Sequence, residues 1–129
     1  MSAVYPLALR DFLKADADLD LTVRVQAVSA AYVYSAAHDF FDDVGAGSRL
    51  GTVQDLANKT FVGGVFDADP VTYPGVAGGS TIAGLVFYIW TGVEATSRLI
   101  YFEDRNADTT PISVAGNGAA WVIDWPNGY

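Results

Sequence analysis

The sequence predicts a mostly β chain: an antiparallel β-sandwich or small barrel with one short helix near its start. Three observations carry this. The longest apolar run is Ile82-Ala83-Gly84-Leu85-Val86-Phe87-Tyr88-Ile89-Trp90. Its β-branched and aromatic residues suit a pleated surface, and apolar side chains on both faces imply cover on both sides, as in a central strand. It is too short to cross a membrane as a helix. Leu21 to Val28 alternates apolar and polar residues in the manner of a half-buried strand. Turn signals, among them Gly63-Gly64 and Asp67-Ala68-Asp69-Pro70, divide the rest into short segments, as in all-β chains.

Taken in order, Tyr5 to Lys14 is the helix candidate, ending near Asp16. Pro6 suits a first helical position, and Leu7, Ala8, Phe12 and Leu13 form an apolar stripe. Asp16 to Asp20 is a polar connector. In the following strand Leu21, Val23, Val25 and Ala27 share one face, and Thr22, Arg24, Gln26 and Val28 the other. Ala30 to Ser35, carrying Tyr32 and Tyr34, is a loop or short strand. His38 to Val44 makes one helical turn anchored by Phe40 and Phe41, and Gly45-Ala46-Gly47-Ser48 breaks it.

Thr52, Gln54 and Leu56 are strand positions, and Thr60–Val62 meets Val65–Phe66 across the Gly63-Gly64 hairpin signal. Val71–Tyr73 is extended before Pro74, and a glycine-rich loop from Gly75 leads into the central run. Arg98 to Asp104 is that strand's partner, with Leu99 and Tyr101 on one face and Ile100 and Phe102 on the other. Arg105 to Gly118 is a polar loop with a brief pairing at Ile112-Ser113-Val114. A closing strand, Trp121 to Trp125, turns both Trp and Ile123 to one face. One domain is expected over residues 1–129, with a helix or arm over 1–20 and a β core over 21–129. No repeat of solenoid period occurs.

Of 129 residues, 51% are hydrophobic and 13% aromatic, enough to fill a core, so the chain is not of the disordered class. Without Cys there is no disulfide, thiolate metal site or Cys nucleophile. The net charge of −8 repels phosphate backbones and the few bases are scattered, which argues against nucleic-acid partners. Met1 to Pro6 lacks a basic segment followed by an apolar one, so no signal peptide and no membrane partner are expected.

Candidate chemistry is sparse. Asp16-x-Asp18-x-Asp20 opens like a calcium loop, but Leu21 stands where glycine is needed and Ala27 where a bidentate Glu is needed. A solvated connector is the better reading. His38-Asp39 with Asp42 and Asp43 could pair a base with an orienting acid, but adjacent residues do not face one another, and an acid here also caps a turn. Asp67-x-Asp69 before Pro70 reads as turn chemistry. No Gly-x-Ser-x-Gly or phosphate loop occurs. The Trp and Tyr residues suit core and interface anchors, or a sugar-binding platform. No catalytic, cofactor-binding or metal-binding residue is assigned.

Several stretches in order carry a resemblance: Val23 to Ser29, Ala37 to Val44, Leu56 to Thr60, Val65 to Tyr73, Gly84 to Trp90 with Ser97 to Phe102, and a last strand containing Trp125. The most specific are His38-Asp39-Phe40 and Asn58-Lys59-Thr60. Together they resemble a family of small virion-associated structural proteins of tailed bacteriophages. The resemblance implies a protein without enzymatic activity, made in the host bacterial cytoplasm and incorporated into the virion. The role it most directly implies is a capsid decoration (cement) protein on the outer shell of major capsid protein. Such a protein would form a homo-oligomer, such as a trimer, or sit among lattice neighbours.

In this reading His38, Asp39, Phe40 and Phe41 are a structural staple, the Phe pair filling the core and the polar pair satisfying loop backbone groups. The chain departs from the family's commoner pattern at its N-terminal segment and its glycine-rich loop. Tyr5, Pro6, Leu7, Phe12, Tyr73, Pro74 and Val76 are therefore the candidate capsid or oligomer contacts. Two alternatives remain open: a neck or tail component (head–tail connector or collar), or a β-sandwich binding host carbohydrate.

Overall fold

The computed structural model describes residues 2–14, 18–63 and 65–124. Its elements in order are β1 (Ala3–Val4), α1 (Pro6–Leu13), β2 (Val23–Val28), β3 (Arg49–Asp55), β4 (Thr60–Val62), β5 (Val65–Asp67), β6 (Val71–Tyr73), β7 (Thr81–Ile82), β8 (Gly84–Ile89), β9 (Leu99–Glu103), β10 (Val114–Ala115) and β11 (Trp121–Ile123). Single 3₁₀ turns occupy Phe41–Asp43, Ala46–Ser48 and Glu94–Thr96. The chain is mostly β, with every strand pair antiparallel and one short helix near the N-terminus. The main sheet has five strands in the order β1-β9-β8-β2-β3; β10-β7, β11-β6 and β4-β5 form two-stranded ribbons.

The long apolar run does supply the central strand. All six residues of β8 are buried, with β2 on one side and β9 on the other. The strand starts at Gly84 rather than Ile82 because the chain changes partners there. Ile82 pairs with Val114, and the Ala83 N–H donates to the Val28 carbonyl. Gly84 has to lack a side chain, since a Cβ there would lie 2.8 Å from the Phe102 ring.

Two strands differ from their expected patterns. β2 is not half-buried: beyond Arg24 both faces are covered, and Leu21 lies outside the strand and is exposed. The polar face closes because the buried Gln26 amide donates to the carbonyls of Ala27 and Leu50 and lies 3.2 Å from the Tyr73 hydroxyl, so no donor is left unmet. In β9 the alternation breaks. Phe87 pairs with Tyr101 but Tyr88 with Leu99, which leaves Ile100 as an extra residue. Such a bulge lets Leu99 and Ile100 both be buried.

Helix α1 begins at Pro6 as expected, but its buried face is Ala8 and Asp11, with Phe12 packed at the margin. Leu13, expected in the apolar stripe, is 83% exposed. The β4–β5 hairpin forms where the glycines predict it, with Gly63 at φ 63°. The late pairing falls at Val114–Ala115 rather than at Ile112, which is buried separately, its N–H donating to the Asp104 carbonyl. In β11 Ile123 is buried, Trp121 is partly buried and Val122 points out; Trp125 lies outside the described residues.

The glycine-rich loop after Tyr73 is packed backbone to backbone rather than free. A Cβ on Gly75 would lie 2.1 Å from the Gly118 carbonyl oxygen, and one on Gly116 would lie 2.3 Å from that of Ala77. The Gly118 and Gly116 N–H groups donate to Val76 and Ser80, closing this corner.

Candidate functional site

The His38–Phe41 segment is a tie between loop and sheet. The Phe41 ring lies flat on Tyr88 of the central strand, centroids 3.9 Å apart, and the Arg49 guanidinium covers it at 4.1 Å. Phe40 stays at the margin of the core beneath the Arg98 guanidinium, 4.2 Å from its ring centroid. Only one of the expected Phe pair is therefore a core residue. His38 Nδ1 lies 2.9 Å from the Tyr32 hydroxyl. The carboxylate that satisfies a loop backbone group is that of Asp43, which accepts the Asp39 N–H at 2.8 Å. Asp39 contributes through its carbonyl, which accepts from Leu99 N–H and from Arg98.

Tyr32 extends this tie to the N-terminal segment. Its hydroxyl lies 2.5 Å from that of Tyr5, which has no solvent exposure. Burial, then the hydrogen bond to Tyr32, raises the Tyr5 phenol far above its ordinary value. The helix behind Tyr5 is held by charge. Asp11 accepts from Arg10 and lies 2.7 Å from Arg98, with both side chains of the Asp11–Arg98 pair largely buried. Burial pushes the Asp11 carboxyl up, but the Arg10 hydrogen bond and the Arg98 charge outweigh it and hold it below its usual range. Neither tie was visible in the sequence, because its partners are far apart and follow no periodicity.

The candidate contact residues divide. Pro6 and Pro74 are exposed, and Leu7 and Phe12 are partly so. Tyr5, Tyr73 and Val76 are buried and cannot present their side chains to a partner from this conformation. The Tyr73 hydroxyl instead donates to the Leu50 carbonyl and accepts the Ala27 N–H. Exposed apolar side chains lie elsewhere: Phe61, Val62 and Val65 on the β4–β5 hairpin, and Leu9 and Leu13 on α1.

Asn58-Lys59-Thr60 is also structural. Asn58 takes a left-handed φ of 50° and its amide donates to Asp69 at 2.6 Å. The Lys59 ammonium donates to the carbonyls of Leu19 and Leu21. The Asp pairs serve their own loops: Asp18 accepts the Asp20 N–H, and Asp67 accepts that of Ala68. Asp16 lies outside the described residues. Trp90 carries the Arg24 guanidinium 4.5 Å above its ring, and Trp121 packs on Tyr73.

A surface concavity of about 400 Å³ lies at the end of the sheet between the Ser29–Tyr34 loop and β8–β9. Tyr32, Tyr34 and Phe102 line it together with Asp104. The Tyr34 and Phe102 rings are stacked 5.9 Å apart. Among the described residues no helix is long and apolar enough to cross a membrane. No protein-family model matches the chain, and no curated protein is significantly similar to it.

Proposed function

We propose that this protein is a structural component of a tailed-phage virion, a capsid decoration protein that binds the outer surface of the major capsid protein shell. The observation that carries the reading is where the family-like segments fall. Val23 to Ser29, Gly84 to Trp90 and Ser97 to Phe102 build the three inner strands β2, β8 and β9, while His38–Phe41 ties its loop to that frame and Asn58-Lys59 joins neighbouring loops to one another. The resembling residues thus make a scaffold, and the surface is left to specify a partner.

In this reading the protein works by binding and not by catalysis. Its one His is engaged with Tyr32, and Arg98, Arg49 and Arg24 brace Phe40, Phe41 and Trp90. The net charge of −8 keeps free copies apart. Exposed apolar side chains on the β4–β5 hairpin and α1 offer modest contact patches, whose effect a repeating lattice multiplies. A protein that binds only the assembled shell stabilises that shell by mass action.

Quantitative mass spectrometry of purified particles tests the reading. A copy number comparable to that of the major capsid protein is expected. A far lower number would move the protein to the neck or tail, and absence from particles would overturn a virion role.

A further inference from the structure

We propose that the Tyr5–Tyr32–His38 chain is a proton-operated latch. It holds the N-terminal segment, β1 and α1, on the sheet while His38 is neutral, and loosens it when His38 takes up a proton. The inference stands on a count of hydrogen bonds and does not depend on the virion reading.

The chain has two gaps. The Tyr5 and Tyr32 hydroxyls are 2.5 Å apart, and the Tyr32 hydroxyl lies 2.9 Å from His38 Nδ1. Each gap holds one proton. With His38 neutral and its hydrogen on Nε2, the two hydroxyl protons fill both gaps: Tyr5 donates to Tyr32, and Tyr32 donates to Nδ1. An imidazolium carries a hydrogen on Nδ1 as well, so three protons compete for two gaps. Neither hydroxyl has another acceptor among the described residues. One donor is then left unmet, at Tyr5, which has no solvent exposure, or at Tyr32, which is 8% exposed. A buried unmet donor should weaken the closed state by a factor of about ten.

Neighbouring charges do not repair the count. Asp43 and the Tyr34 hydroxyl act electrostatically on both phenols, but the Asp43 carboxylate accepts the Asp39 N–H and is bonded to neither phenol. The Asp39 carboxylate, next to His38 in the chain, lies 4.0 Å from Arg98. Asp42 is exposed on the same turn.

The segment that the latch holds has few other ties. β1 pairs only Ala3 and Val4 with β9, and α1 is an eight-residue helix without a side-chain cap, marginal by itself. Ser2 donates to Glu103, and Asp11 pairs with Arg98. The Asp11 carboxyl is held below its usual range, so that pair stays charged over the interval from pH 8 to 5 in which histidine changes charge. A closed state that excludes a proton loses ground as pH falls, so the latch opens on acidification.

The test is NMR of the isotope-labelled full chain titrated over that interval, with amide exchange protection and melting midpoints measured alongside. At the alkaline end the imidazole nitrogen shifts should place the hydrogen of His38 on Nε2. As His38 protonates, the amides of Val4, Tyr5 and Leu9 should move with the same midpoint and lose protection about tenfold. His38→Gln keeps an acceptor for Tyr32 but cannot titrate, so it should stay closed throughout. Tyr32→Phe cuts Tyr5 off from His38 and should give low protection at both ends of the interval. A hydrogen on Nδ1 at the alkaline end, protection that is constant through the His38 titration, or an equal loss of protection in His38→Gln would overturn the latch. The unsubstituted chain decides the first two even where a variant does not fold.

Discussion

The carboxylate of Asp11 on α1 lies 2.7 Å from the guanidinium of Arg98, which in turn lies over the Phe40 ring. One ion pair therefore joins the N-terminal helix, the start of the β9 segment and the His38–Phe41 tie. Asp11→Asn should destabilise the fold by on the order of 2 kcal/mol, since it removes the nearer carboxylate from a largely buried arginine and leaves only Asp39, 4.0 Å away. The measure is the denaturant midpoint. The pH dependence has a definite sign. The Asp11 carboxyl is held below its ordinary value when folded, so its contribution is present above the usual carboxylate range and is lost as pH falls through the folded value. Asp11→Asn should flatten that acid limb; an unchanged limb would show that the pair contributes nothing.

The phenols predict a complementary effect at the other end of the pH scale. Burial, followed by smaller effects of opposing sign from Arg24, pushes Tyr88 up to about 12. Burial and the Glu103 charge push Tyr101 up to about 12, and Tyr5, Tyr32 and Tyr73 are raised as well. A group raised in the folded state contributes stability below its unfolded value of about 10 and loses it as pH climbs beyond. Phenolate absorbance should therefore rise cooperatively, together with loss of β circular dichroism, rather than as independent titrations near pH 10.

Removing one hydroxyl from the Tyr5–Tyr32–His38 chain separates its hydrogen bonds from its ring packing. Tyr5→Phe keeps the buried ring and should cost about 1 kcal/mol, enough to lower the melting midpoint by several degrees. His38→Ala should cost less, because His38 is only half buried. A larger effect for His38→Ala than for Tyr5→Phe would show that the chain is anchored at the wrong end.

Glycines should sort by what surrounds them. Gly75→Ala and Gly116→Ala force a Cβ into backbone oxygen atoms and should destabilise by about 2 kcal/mol or more. Gly47→Ala meets no atom within 4 Å and needs no positive φ, so it should be neutral or slightly stabilising. Thermal melts of the three variants decide this.

On the decoration reading, the β4–β5 hairpin offers a variant that separates folding from binding. Val62 is 77% exposed, so Val62→Lys should leave the melting midpoint within a degree or two while reducing occupancy on reassembled particles. Full occupancy by a stably folded Val62→Lys protein would remove the hairpin from the contact surface.

Local chemistry is enough to determine much of this architecture from the sequence alone. A two-sided apolar run has to be covered on both faces, so Leu85 to Ile89 could be placed as central; Pro6 marked the start of α1, and Gly63 the hairpin turn. The tertiary structure decided the rest, because those outcomes depend on partners distant in the chain. Val28 joins the interior because β3 and β8 enclose β2, and Gln26 is buried because Tyr73 and Leu50 happen to meet its amide. Tyr5, Tyr73 and Val76, read from the sequence as surface contacts, are core residues because aromatic and branched side chains serve either role. Only the packing around them selects which. Hydrophobicity and period report how much a residue gains from burial, and three-dimensional closure determines whether it is buried.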